Sequence, residues 1–296
     1  GTPVEDHGSH SIRTSFGTVV PQVIEGSSVV VLSNGVAADT TQTAPGPVTG
    51  TGGAADGTAH DPASSVSIAD CVEAHCISDW FNADNPPLKA AGALPAAPDC
   101  GNGTVVNPGT ANDSVMLVLR FRAPTNARAF SFSTYFFSAE FPEYVCSAYN
   151  DQFIALVDTP SGTPQPIPNP ADKNLLTYYD GEARWPIGIN VAAGTSLFGI
   201  CDSEEVAPDC WNANVSDASC AYGSSQLEGS GFGVPDGETC PAGGGTFWLT
   251  STGNVVPGEI VEVRIALWDV GDSIFTSLAL IDAFQWLSEA TLPGTL

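Results

Sequence analysis

Runs in which apolar and polar residues alternate one by one constrain this chain more than any other feature. Val115, Leu117, Leu119 and Phe121 share one face, with Arg120 and Arg122 on the other. Val261, Val263, Ile265 and Leu267 alternate with Glu262 and Arg264, and Phe130, Phe132 and Phe136 alternate with Ser131, Ser133 and Tyr135. A period of two in β-branched and aromatic residues is the pattern of strands with one face in a core. Shorter runs at 18–24, 27–33, 152–157, 195–200, 246–251 and 277–286 read as further strands, and Pro-Gly at 257–258 is a turn signal. Helix signals are weak, with one short candidate over 67–82. Many short strands with Gly/Pro turns predict an all-β chain, a jelly-roll-like β-sandwich with long disulfide-pinned loops. The expected organisation is an N-terminal arm at 1–16, a single sandwich domain at 17–288 and a tail at 289–296. Loop elaborations are expected at 37–100 and 202–245.

Charge and cysteine narrow the setting. The chain carries 33 acidic and 8 basic residues, a formal −25. Such a field repels phosphate backbones and anionic headgroups, so nucleic acid and membrane surfaces are poor partners, while cations are favoured. No run approaches the length of a membrane-spanning helix, so direct membrane insertion is not expected. Eight cysteines, Cys71, Cys76, Cys100, Cys146, Cys201, Cys210, Cys220 and Cys240, include no C-x-x-C pair and accompany only 4 histidines. That inventory favours disulfides over zinc, with the connectivity left open. Disulfides imply an oxidising compartment. The chain opens at Gly1 without Met or an apolar leader, and the expectation is a secreted or cell-surface protein whose signal peptide has been removed.

Two acidic blocks carry the candidate chemistry. Glu140, Glu143, Asn150 and Asp151 cluster in one, and Asp269, Asp272 and Asp282 in the other. Carboxylate and amide oxygens at strand ends suit a hard cation such as calcium, which takes six to eight oxygens. Asp282 lies between apolar neighbours, where a lone carboxylate is costly. The competing reading is that these acids cap turns by accepting backbone N–H bonds. The expected ion is structural, because no nucleophile or base accompanies it. His7, His10, His60 and His75 lie in the arm, a Gly-rich loop and between cysteines, so no enzyme is expected. Loop aromatics Tyr179, Trp185 and Trp211 are candidate ligand contacts of the kind that stack on sugars.

The block Glu140-Phe-Pro-Glu-Tyr-Val-Cys-Ser-Ala-Tyr-Asn-Asp151, with Ile265-Ala-Leu-Trp-Asp-Val-Gly-Asp272 and Leu280-Ile-Asp-Ala-Phe284, resembles the choice-of-anchor L domain of exported bacterial surface proteins of the myxobacterial type. The likeness spans roughly residues 20–288. It implies export and a surface setting, and it transfers no enzymatic activity. The functional expectation is an extracellular structural protein that associates with itself into a layer, sheath or filament, stabilised by calcium and disulfides. The apolar stretch 17–24 is a candidate for completing a neighbour's sheet. The alternative is a calcium-dependent adhesin or carbohydrate-binding module, with glycans as partners.

Overall fold

A computed structural model describes residues 10–34, 37, 111–147, 149, 151–159, 165–179, 184–193, 195–202, 220–233, 243–270 and 275–295. The candidate helix at 67–82 lies outside these residues. Twelve strands are seen: β1 His10–Arg13, β2 Val29–Ser33, β3 Ala111–Arg122, β4 Ala129–Ser138, β5 Gln152–Asp158 and β6 Thr177–Tyr179, then β7 Arg184–Gly188, β8 Gly244–Gly245, β9 Leu249–Asn254, β10 Ile260–Val270, β11 Ser277–Leu287 and β12 Gly294–Thr295.

The strands form two antiparallel sheets. One runs β1-β2-β11-β4-β9-β12, with β8 also on β4, and the other runs β3-β10-β5-β7-β6. Long strands cross between sheets at every step along the chain except from β5 to β7: β2, β4, β9 and β11 lie in the first, and β3, β5, β7 and β10 in the second. The first and last long strands of the first sheet, β2 and β11, lie side by side, and β10 is wedged between β3 and β5. This interleaving is the jelly-roll order, in which successive strands cross from sheet to sheet and both sheets are closed by the chain's last long strands. No helix among the described residues is long and apolar enough to cross a membrane.

Alternation fills the space between the sheets as the sequence predicts. Phe132, Phe136, Phe153, Val261, Val263, Ile265 and Leu267 are all buried in one cluster, and Phe136 stacks on Phe153 with ring centroids 5.4 Å apart. The expectation that β4 has one polar face is only partly met. Tyr135 and Phe137 point the other way and are also fully buried, in a second cluster with Phe16, Val19, Ile200, Leu227, Phe232, Leu278 and Leu280. Segments around 16–19 and 220–233 cover the outer face of the first sheet, so its central strands are apolar on both sides. The Cys201–Cys220 disulfide pins this covering layer. Cys146 is also disulfide-bonded, and none of the described cysteines is free. Cys71, Cys76, Cys100, Cys210 and Cys240 fall outside the described residues.

Two strand expectations are corrected, and parts of the arm and the tail are found at sheet edges. The run at 18–24 is no strand. It lies in turns tied to the covering layer, with the Val20 N–H donating to Gln226 Oε1 (2.9 Å), Thr18 Oγ1 to Glu228 O (3.0 Å) and Trp248 Nε1 to Pro21 O (3.0 Å). The run at 195–200 forms turns and a single bridge, Ile200 to Gly245. The arm is not wholly peripheral, because β1 pairs with β2 in register from His10↔Leu32 to Arg13↔Val29. Its Arg13 is buried and donates from Nε to Ala37 O at 3.1 Å. The tail likewise joins a sheet edge, where Thr295 pairs with Ser251 and donates from Oγ1 to Leu175 O (2.9 Å).

Candidate cation site

One end of the sandwich gathers carboxylates from both sheets. Glu140 stands two residues past β4, Asp151 just before β5 and Asp269 near the end of β10. Because Gln152 is the register partner of Trp268 in the antiparallel pair, Asp151 and Asp269 fall on neighbouring strand ends of one sheet. The Ala139 N–H bonds Thr276 O at 2.9 Å, which brings the first sheet's turn to the same place. The three side chains each offer an oxygen, all within 4.8 Å of one another. Their exposures are 0%, 0% and 1%. The three oxygens are therefore out of bulk water and closer together than free carboxylates settle.

Neighbouring groups fix their orientation. Ser277 Oγ, at the start of β11, donates to Asp151 Oδ2. Ser277 is held in turn by its own N–H to Asn34 Oδ1 (2.6 Å) and by its carbonyl accepting from Ser33 Oγ (3.1 Å). The Asp151 N–H points at Glu140 Oε2 (3.4 Å), and the Glu140 N–H at Ser138 Oγ (3.2 Å). The turn between them is tied down by buried Asn190, whose Oδ1 accepts from the Cys146 N–H (2.6 Å) and whose Nδ2 donates to Ser147 O (3.4 Å). Sequence reasoning missed Ser138, Ser277, Asn34 and Asn190. Serines and asparagines near strand ends carry no periodic signal, and their roles depend on which strands the topology places side by side.

Like charges in a low-dielectric interior repel strongly, so three carboxylates in this volume call for a cation or for shared protons between them. Oxygens on opposite sides of a calcium ion lie about 5 Å apart at ordinary bond lengths, and the observed spread fits that. The donor set is oxygen only, which suits a hard cation and disfavours zinc or copper. Of the four histidines only His10 is among the described residues, on an exposed part of β1.

The other sequence candidates divide. Glu143 sits three residues past Glu140 on the same turn, half-buried, and is not one of the three gathered groups. Burial pushes its carboxyl up from the ordinary 4.5 to about 7, against a smaller downward pull from its own backbone N–H. Asp282 stands apart and follows the turn-capping alternative. Its Oδ2 accepts the N–H groups of Ile24 (2.6 Å) and Glu25 (3.4 Å), and its Oδ1 that of Ala283 (2.6 Å). It lies at a bulge of β11, where the register with β4 shifts between Asp282 and Gln285. Its cost in an apolar strand is offset by these backbone donors. Asn150, Asp272 and Trp211 lie outside the described residues. Tyr179 is 57% exposed and pairs with Arg184, whereas Trp185 is half-buried, pairs with Tyr178 and packs against the core on the other face.

Compared with protein-family models, curated proteins and solved structures, the chain matches none. The sandwich order and the geometry of this site are therefore the ground for a functional reading.

Proposed function

We propose that this chain is an exported structural protein of the cell surface, built to associate with other copies and stabilised by a calcium ion held by Glu140, Asp151 and Asp269. The observation that carries the reading is the gathering of three buried carboxylates from strand ends of both sheets. An ion there ties the sheets together at one end of the sandwich and neutralises charge where solvent cannot. It does structural work, since it is closed off from solvent and lacks a catalytic partner. The acidic composition, the Cys201–Cys220 disulfide and the resemblance to exported surface domains support the setting.

Electron microscopy of the purified protein over a range of concentrations, with calcium and with chelator, tests the assembly. The expected result is ordered polymers or sheets that depend on calcium. Monodisperse particles of about 30 kDa under all conditions, the mass of one chain, would overturn it. A second reading, a calcium-dependent glycan-binding module, is favoured by Tyr179, which stands exposed on β6. A glycan array in calcium that stays blank removes that alternative.

A further inference from the structure

The molecule's scarce positive charge is concentrated on one surface. Of the basic side chains among the described residues, Arg13 is buried on Ala37 O and Arg184 is bound to Thr177 Oγ1 (2.6 Å) and Pro293 O (3.4 Å). Lys173 pairs with Asp158 at 3.4 Å. Arg120, Arg122 and Arg128 are exposed. Arg120 and Arg122 stand on β3, the terminal strand of its sheet, and alternate there with half-buried Leu119 and Phe121, so they face outward with Val118 beside them at 43% exposure. Arg122 spends one N–H on Gly258 O (2.8 Å). Arg264 on neighbouring β10 adds a further guanidinium, paired with Glu262 at 2.8 Å, and Glu262 is also the register partner of Arg120. This sheet surface thus carries three guanidiniums against Glu262 and Asp158, the register partner of Glu262 on β5, which is itself paired with Lys173. Arg128 closes the turn into β4 with its N–H on Leu287 O, and Glu289 is the exposed acid just beyond that contact.

We infer that this arginine surface of β3 is a docking site for an acidic face of a second copy of the chain. A chain of formal charge −25 presents acidic surface far more readily than basic, so copies are complementary only where these arginines meet that acid. The patch is not complementary to itself, because a two-fold axis through it sets arginine against arginine. The acidic face therefore lies elsewhere on the partner; copies can exchange the two surfaces about a two-fold axis or pair head to tail, and the head-to-tail contact propagates into rings or open filaments. Charged side chains on an edge strand also discourage indiscriminate strand pairing, so the contact runs through guanidiniums and carboxylates rather than through an added strand. This inference rests on the self-association proposed above and names the surface that performs it. The patch lies at the end of β10 far from the carboxylates, since Arg122 is level with Ile260 while Asp269 is level with Asn112, a separation of about 30 Å.

Sedimentation velocity in calcium separates the two ideas, comparing the unaltered protein with R120E/R122E and, as a gentler variant, R120Q/R122Q. R120Q/R122Q should melt close to the unaltered protein, while R120E/R122E sets a like charge opposite Glu262 and loses the Arg122 bond to Gly258 O, so it should melt somewhat lower and assembly is compared below both transitions. The expected result is assembly by the unaltered protein that weakens as salt rises from about 20 mM to about 500 mM, where screening is nearly complete. Each double variant should need at least tenfold more protein to assemble. Assembly that is indifferent to both variants, or to salt, overturns the arginine surface while leaving self-association standing. An unaltered protein that remains monomeric overturns both.

Discussion

Replacing Asp269 with Asn removes one of three mutually repelling charges, and the sign of the effect depends on calcium. In excess chelator D269N should be as stable as the unaltered protein or more so, because burying a third negative charge is costly. In calcium the order should reverse. An ion bound only by the folded state at 100 times its dissociation constant adds about 2.7 kcal/mol, and D269N should lose most of that gain. Melting curves with and without calcium measure both arms, and an unaltered protein whose melting temperature ignores chelator would remove the ion. Glu143 gives a pH signature of its own. With its carboxyl raised to about 7 by burial, its contribution to stability is complete below 4.5 and is lost as pH rises to 7. The expected size is about 1–3 kcal/mol, discounted for partial exposure. Urea midpoints across that window should decline in the unaltered protein and lie flat in E143Q. At this scale the sequence was informative about residue type and less so about partners. Glu140, Asp151 and Asp269 could be read from acidic residues at strand ends. That Asp282 caps backbone instead follows from Ile24 and Glu25 arriving beside it, a contact across most of the chain that no local pattern encodes.

Among the elements, the short β8 does more than its length suggests. Gly243, just before it, has φ +148, and a Cβ there would stand 2.5 Å from Ser138 O. Gly244 would place a Cβ 2.5 Å from the Phe141 ring. The approach of these glycines to the end of β4 sets the turn that carries Glu140. G243A should cost more than 1 kcal/mol, combining a strained backbone with a clash against main chain, and denaturant unfolding measures it. The covering layer gives a second element-scale expectation. Removing Cys201–Cys220, which joins residues 19 apart, as C201S/C220S should cost about 3 kcal/mol through the freed loop. Its effect should be seen first as solvent reaching Tyr135 and Phe137, read by hydrogen exchange or fluorescence. The alternating runs at 115–122 and 261–267 were legible as β3 and β10, although those strands extend to Ala111 and Val270, and the shorter run at 277–286 matches β11 to within one residue. The run at 18–24 was misread because its apolar residues serve a covering layer, and period alone does not distinguish a strand from a turn-rich lid. The burial of Tyr135 was hidden for the same reason: a face looks exposed in sequence until the segment that covers it is known.

For the whole molecule, class and topology were accessible from many short strands and turn signals, whereas the strand order had to be seen. That order has a consequence for how the chain comes into being. In each sheet an interior strand comes from the final part of the sequence: β10 between β3 and β5, and β11 between β2 and β4. A growing chain that has produced everything up to residue 259 has β4 beside β9 and β5 beside β7, but β2 and β3 still wait for the long strands that join them to the rest. Non-local pairing of this kind is slow, because long loops must close before any contact rewards them. A nascent chain therefore lacks a stable half-folded stage in which to arrest. Folding waits on the last strands, and the carboxylate cluster waits with it, since Asp269 and Ser277 arrive only then. Under the export proposed above, late assembly is an advantage: the chain stays threadable until nearly all of it has been made.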